Sequence, residues 1–153
     1  MSKIDQFNDH TYVGPDYFEY LRQVEKALAG DIILSVTPAT PGSSAAAVAT
    51  AIAGAAGKFV RTVKFELKDA ASNIHTWFNG KIDLTIAETT VGTGVAAIAG
   101  SATSVTLTEG VGSINIEYTG VWAAADTSTL TTTQRDIVGV TIAAKTSKDT
   151  LVA

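Results

Sequence analysis

Few residues of this 153-residue sequence have side chains suited to catalysis or metal binding, and those few are loosely spaced. The two histidines, His10 and His75, are far apart, and neither has a second histidine at the short spacing by which two imidazoles bind one zinc ion. Asp5, Asp9 and Asp16 do not follow the alternating ligand pattern of a calcium loop. The sequence therefore predicts no metal site, and each histidine is expected at a surface or capping position.

Three further carboxylates, Asp69, Asp83 and Glu88, have the chemistry of a general acid and base. Nothing in their spacing requires a pair, because each lies at a predicted turn or at an outward position of a predicted strand. These carboxylates are expected to be surface charges.

Nucleophilic and phosphate-binding motifs are incomplete in this sequence. Gly92-Thr93-Gly94 is a fragment of a glycine-rich loop that lacks the remainder of any phosphate-binding pattern. Ser43-Ser44 has no G-x-S-x-G context and no paired histidine. The prediction is a protein that is not an enzyme and takes no cofactor.

The composition limits the classes of partner that the chain can bind. Charged residues make up 17% of the chain, aromatic residues 7%, and the formal net charge is −4. Nucleic-acid binding needs clustered Lys and Arg, so no nucleic-acid partner is expected. The start has no apolar signal region and no apolar run is long enough to span a membrane, so we expect synthesis in the cytoplasm and no membrane partner. Five central cations are expected on a solvated strand face, namely Lys58, Arg61, Lys64, Lys68 and Lys81.

An amphipathic helix is predicted over residues 16–29, after an arm that ends at Val13. Asp16 can cap its first turn, Glu19 stands at the capping-box position, and Gly30 can end it. Its apolar stripe consists of Tyr17, Leu21, Val24 and Leu28. Residues 1–30 thus form an arm and helix, and residues 31–153 a second unit.

Aromatic residues crowd the first turns of this helix and extend beyond its stripe. They are Tyr12, Tyr17, Phe18 and Tyr20. A helix that is apolar on more than one side needs more than one surface to pack on. The helix is therefore expected either to contact another subunit or to cap its own domain.

Residues 31–153 follow a strand pattern. Val63, Phe65 and Leu67 alternate with polar residues in the clearest strand, and similar runs lie at residues 82–86, 105–108 and 114–118, of which the last two resemble a hairpin. Counting all such runs gives about seven strands, which favours an all-β, immunoglobulin-like antiparallel sandwich. The Ala, Gly and Ser stretch over residues 43–57 is expected to be a loosely packed connector.

Large aromatic side chains mark a possible contact surface of the sandwich. Trp77 and Phe78 are adjacent and precede the turn dipeptide Asn79-Gly80, so on a strand one would face the core and the other solvent. Trp122 follows Gly120-Val121 in a predicted loop. Each of these rings is expected either in the core or at an interface, where aromatic residues supply much of the binding energy.

Two segments carry a family resemblance. The run from Leu67-Lys68-Asp69-Ala70 through residues 82–86 to residues 112–116 resembles bacterial immunoglobulin-like modules of the invasin type. Residues 61–86, with His75-Thr76-Trp77-Phe78-Asn79-Gly80, resemble short structural proteins of tailed bacteriophages. No repeat of the module follows and no signal peptide precedes it, which favours a virion component over a secreted adhesin.

The resemblance implies a virion protein, made in the host cytoplasm, that decorates or cements a capsid or tail lattice. It would form a homo-oligomer and bind phage capsid or tail proteins through its arm and helix. The alternative is an Ig-like module that binds carbohydrate, such as host surface glycans, through exposed tryptophans. Ten residues form the predicted interface: Tyr12, Tyr17, Phe18, Tyr20, Leu21, Val24, Leu28, Trp77, Phe78 and Trp122.

Overall fold

The computed structural model describes residues 33–38, 44–54, 57–137 and 140–152. The predicted arm and helix, residues 1–30, lie outside the described residues.

Ten strands and one α-helix make up most of the described chain. In chain order they are β1 (Ile33–Pro38), α1 (Ala45–Gly54), β2 (Phe59–Lys68), β3 (Gly80–Thr89), β4 (Val95–Ile98), β5 (Ser104–Leu107), β6 (Val111–Thr119), β7 (Thr127–Thr132), β8 (Arg135–Ile137), β9 (Val140–Ile142) and β10 (Thr146–Thr150). A short 3-10 turn, Ala99–Ser101, follows β4.

The strands form two four-stranded sheets and one separate pair, and every pairing between them is antiparallel. Sheet I has the order β1-β2-β6-β4, sheet II the order β10-β7-β3-β5, and β8 pairs with β9. Side chains from both sheets enter one apolar core, as in a β-sandwich. The all-β prediction is confirmed, with more strands in the described part than the seven expected.

Strand β2 shows how the sequence pattern produces the sheet. Val63, Phe65 and Leu67 are buried while the residues between them are partly or fully exposed, as their alternation predicts. Arg61 shares their side of the strand and is only 3% exposed, so its prediction as a solvated cation was wrong. The same two-residue period that placed the core residues also places Arg61 inside.

The connector predicted over residues 43–57 was also wrong, because residues 45–54 form α1. The Ser44 hydroxyl accepts a hydrogen bond from the backbone N–H of Ala47 at 3.0 Å, which caps the first turn. Ala45 and Val48 are buried, and Ile52 packs against the core one turn later. Three apolar side chains at helical spacing anchor this helix, together with a hydrogen bond from the backbone N–H of Ala45 to the carbonyl of Val152 at 2.7 Å.

The predicted hairpin of β5 and β6 divides between the two sheets. β5 pairs with β3 and β6 with β2 and β4, and only Thr108 and Val111 bridge each other. Between them Glu109 and Gly110 have φ values of 50° and 76°, the left-handed pair of a tight two-residue turn. The turn is present, but the strands that it joins diverge.

The segment before β3 is a turn and not a strand. The backbone N–H of Phe78 bonds to the carbonyl of His75 at 3.0 Å, and Gly80 is already the first residue of β3. The Asn79 side chain accepts a hydrogen bond from the backbone N–H of Glu109 at 3.0 Å. Asn79-Gly80 therefore docks onto the neighbouring turn instead of forming a hairpin.

The sandwich has two distinct ends, which we name the base and the tip. At the base, Lys68 of β2 pairs with Ile33, the first residue of β1. At the tip, Phe59 of β2 pairs with Tyr118 near the end of β6. Nine residue steps of extended strand separate the two ends of β2 by about 30 Å.

Candidate interface surfaces

The structure separates the predicted interface residues into three groups. Trp77 is 40% exposed, whereas Phe78 and Trp122 are 4% and 5% exposed and belong to the core. The remaining seven lie outside the described residues: Tyr12, Tyr17, Phe18, Tyr20, Leu21, Val24 and Leu28. Among the predicted aromatic residues that the structure describes, Trp77 alone presents its ring at the surface.

Trp77 is held in place by a buried histidine, so the surface or capping position expected for His75 was wrong. Its indole N–H donates to Nδ1 of His75 at 2.6 Å, and His75 is 7% exposed. Because Nδ1 accepts this hydrogen bond, the ring proton is on Nε2. Nε2 is buried without a partner among the described residues. Trp77 also meets Phe78 edge-on, with ring centroids 5.8 Å apart. The exposed ring is thus rigidly positioned.

Two isoleucines lie at the same end of the molecule as Trp77. Lys68 pairs with Ile33 on one side and forms a bridge with Ile74 on the other, which places the three in one row across the base. Ile33 and Ile74 are 41% and 38% exposed. The base therefore presents an exposed isoleucine on each side of a lysine, with Trp77 in the turn that follows Ile74.

A second apolar surface, which we name the valine tip, lies at the opposite end. Val91 is 90% exposed and Val121 is 65% exposed, on the loops that follow β3 and β6. The carboxylate of Asp126, itself buried, joins these loops. It accepts the N–H of Val91 at 3.0 Å and the N–H of Ala123 at 2.8 Å.

Close backbone packing makes the valine tip compact. A Cβ at Gly94 would lie 2.7 Å from the ring of Trp122, and a Cβ at Gly120 would lie 2.1 Å from the carbonyl oxygen of Thr93. The indole N–H of Trp122 donates to the carbonyl of Thr119 at 2.8 Å. Trp122 thus supports the tip from beneath.

A buried ion pair connects the two sheets. The guanidinium of Arg61 in β2 contacts the carboxylate of Asp149 in β10, and the hydroxyl of Tyr118 donates to the same carboxylate at 2.8 Å. Burial lowers the pKa of Arg61, with the nearby Tyr118 opposing the shift. Burial raises the pKa of Tyr118, against the effects of Ser128 and Arg61. Three polar groups therefore fasten the last strand to the opposite sheet.

An apolar groove opens between β3 and β4. It encloses about 350 Å³ and is lined by Leu84, Ile86, Ala96 and Ile98 together with small polar residues. None of the described residues that line it is ionisable. The groove offers contact area but no acid or base.

The outer face of sheet II is rich in threonine. Thr127, Thr129 and Thr131 project from the same side of β7, with Thr85 and Thr146 paired on either side of Thr131. Lys148 of β10 pairs with Thr129 on this face, so the row of hydroxyls also carries an exposed cation.

The candidate catalytic carboxylates do not meet. Asp83 and Glu88 lie five residues apart on β3, which directs them to opposite faces, and Asp69 lies in the turn after β2. The amides of Asn73 and Ala71 lower the pKa of Asp69, so this carboxylate organises its own turn. No group of three or more His, Cys, Asp or Glu side chains with metal-binding geometry occurs within the described ranges.

No known protein family matches the chain, and neither does any curated protein. Among the helices that the structure describes, none is both long and apolar enough to cross a membrane.

Sequence reasoning missed the two carboxylates that organise the molecule. Asp126 and Asp149 lie in segments without clear periodicity, so nothing marked them as buried partners. Arg61 did carry a signal, since its position in the alternation of β2 faces the core. A charged residue at an inward position predicts a buried partner elsewhere in the chain.

Proposed function

We propose that this chain is a non-enzymatic structural protein of a tailed-bacteriophage virion, which decorates or cements the capsid or tail lattice through its N-terminal arm and helix. The observation that carries the proposal is that the two ends of the domain differ. The N-terminal segment joins the sandwich at the base, while the rigid valine tip lies about 30 Å away at the other end. A domain that is joined to its attachment segment at one end and presents a fixed apolar surface at the far end is suited to stand on a lattice.

The Ig-like identity of the fold belongs to the same proposal. The order β1-β2-β6-β4 corresponds to strands A-B-E-D of an immunoglobulin domain, and β3-β7-β10 corresponds to C-F-G. The chain departs from that pattern in β5, which follows the fourth strand in sequence but pairs with β3. The correspondence supports an Ig-like sandwich with one rearranged edge strand.

Homo-oligomer formation is proposed to use the valine tip. Val91 and Val121 are exposed on loops that are already fixed by Asp126, so burying them against another copy orders little additional chain. Light scattering on the full chain is expected to show an oligomer. Val121→Asp should dissociate it, while Thr106→Asp on the exposed edge of sheet II should not.

Attachment is tested by co-sedimentation of the purified protein with particles of the encoding phage that lack it. Saturable binding is expected, and Phe18→Asp in the N-terminal segment should weaken it at least tenfold. The control Gln23→Asp lies off the aromatic positions and should bind like the wild-type chain. Absence of binding by the wild-type chain would refute the attachment.

The exposed Trp77 ring favours a second candidate, an Ig-like module that binds carbohydrate or host surface glycans. Aromatic rings in a fixed orientation are suited to stack on sugar rings, and His75 fixes this one. Glycan-array binding that Trp77→Ala abolishes would support this candidate. Trp122 no longer belongs to it, because its ring is buried.

A further inference from the structure

We propose that the apolar stripe of the predicted N-terminal helix docks on the base of its own domain. The stripe consists of Tyr17, Leu21, Val24 and Leu28. Its seat, which we name the base patch, consists of Ile33, Ile74 and Trp77. The inference rests on the helix predicted from sequence, and it holds whether or not the protein belongs to a virion.

The base patch is an apolar surface that the described fold leaves exposed. Its three side chains are 38% to 41% exposed, although each is large enough to be a core residue. Ile33 and Ile74 flank Lys68 in one row, and Trp77 follows Ile74 by three residues in the same turn. Exposed apolar side chains of this size that gather at one end of a domain mark a contact surface.

Chain connectivity brings the stripe to this surface. Leu28 precedes Ile33 by five residues, so their Cα atoms lie at most about 18 Å apart even if the chain between them is fully extended. A helix over residues 16–29 is about 21 Å long, comparable to the width of a four-stranded sheet. So short a connection gives the stripe a high effective concentration at its own base and favours docking within one chain.

Helix physics and charge favour the same arrangement. An isolated helix of about 14 residues is marginal in water and needs an apolar surface to stabilise it. Its carboxyl end carries a partial negative charge and would arrive at the base, where Lys68 lies between the two isoleucines. The base patch therefore complements the helix end in both polarity and charge.

Docking of the stripe would leave the other aromatic side of the helix free. Phe18 lies about 100° around the helix from Tyr17, so it cannot share the buried stripe. Together with Tyr12 in the arm, it would remain available to a partner. The helix would thus act as a rigid spacer between the domain and whatever the arm binds.

Disulfide trapping tests the docking directly, because the chain contains no cysteine. The double variant Leu28→Cys with Ile74→Cys in the full chain is expected to form an intrachain disulfide under mild oxidation, seen as a faster monomer band on non-reducing gels. The matched control, Leu28→Cys with Val121→Cys, places the second thiol at the tip and should not close. Interchain dimers as the main product, or no disulfide at all, would overturn docking within one chain.

Fluorescence quenching supplies a second measurement that needs no cross-link. Trp122 is buried, so quenching by acrylamide reports mainly on Trp77. Leu28→Asp should raise the quenching constant about twofold, and Gln23→Asp should leave it unchanged. Equal quenching in Leu28→Asp and wild type would contradict the proposed docking. Binding of the chain to phage particles is measured separately, by co-sedimentation, so the two proposals can fail independently.

Discussion

Arg61 of β2 and Asp149 of β10 form a buried ion pair between the two sheets of the sandwich. Only 2% of the Arg61 side chain and 14% of the Asp149 side chain are exposed. Because the pair crosses from sheet I to sheet II, it fixes how the last strand sits against the rest of the domain. Breaking one partner would leave the other charge buried and unpaired.

Removing one member of this pair should therefore be strongly destabilising. Asp149→Asn is expected to lower the free energy of unfolding by about 3 kcal/mol, measured by urea denaturation. The double variant Arg61→Met with Asp149→Leu should recover much of that loss, because it removes both charges. An Asp149→Asn protein within about 0.5 kcal/mol of wild type would show that the pair contributes little.

The buried Tyr118 hydroxyl predicts a loss of stability at alkaline pH. Burial raises the pKa of Tyr118 in the folded protein above the ordinary value, so the unfolded chain loses this proton first. Stability is then fully present below a pH of about 10 and falls as pH rises towards the folded pKa. Melting temperatures between pH 8 and pH 11 should fall more steeply for wild type than for Tyr118→Phe, and parallel curves would argue against this role.

The Asp126 carboxylate should control the order of the valine tip. Asp126→Ala leaves the N–H groups of Val91 and Ala123 without their acceptor and is expected to cost about 2 kcal/mol. Amide hydrogen exchange should accelerate at those two positions. Asp83→Asn, an exposed carboxylate on β3, serves as the control and should change neither property.

Alanine substitutions at two glycines with positive φ distinguish the cost of backbone strain from the cost of steric crowding. Gly100 has φ +68° and open space where a Cβ would lie, whereas Gly120 has φ +76° and a Cβ there would meet the carbonyl oxygen of Thr93. Gly100→Ala should cost about 1 kcal/mol from the backbone alone. Gly120→Ala should cost clearly more in the same thermal unfolding assay, and equal costs would mean that the tip relaxes freely around the added methyl group.

The sequence predicts the sheets better than it predicts their connections. Alternation over residues 59–67 places the core side of β2, because one period of two residues decides burial on both faces. The assignment of β5 and β6 to different sheets has no local signal, since the tight turn at Glu109 and Gly110 is the same in a hairpin. β10 was missed because its polar side chains hide the period.

The sequence also could not predict which of the interface rings are buried and which are exposed, because tertiary contacts decide this. A sequence places Trp77 and Phe78 next to each other, but only the structure shows that Phe78 enters the core while Trp77 bonds to His75 and stays partly exposed. Trp122 lies in a loop as expected, but its ring is buried, and Gly94 leaves room for it. Adjacency in sequence cannot supply such contacts.

Electron cryomicroscopy of virions from the encoding phage tests the proposed function most directly. We predict density for the two-sheet domain at symmetry-related positions on the capsid or tail, with the base towards the lattice and the valine tip away from it. Particles that lack the chain should lose that density and regain it when the purified protein is added. Complete virions without density for this domain would contradict the proposed virion role.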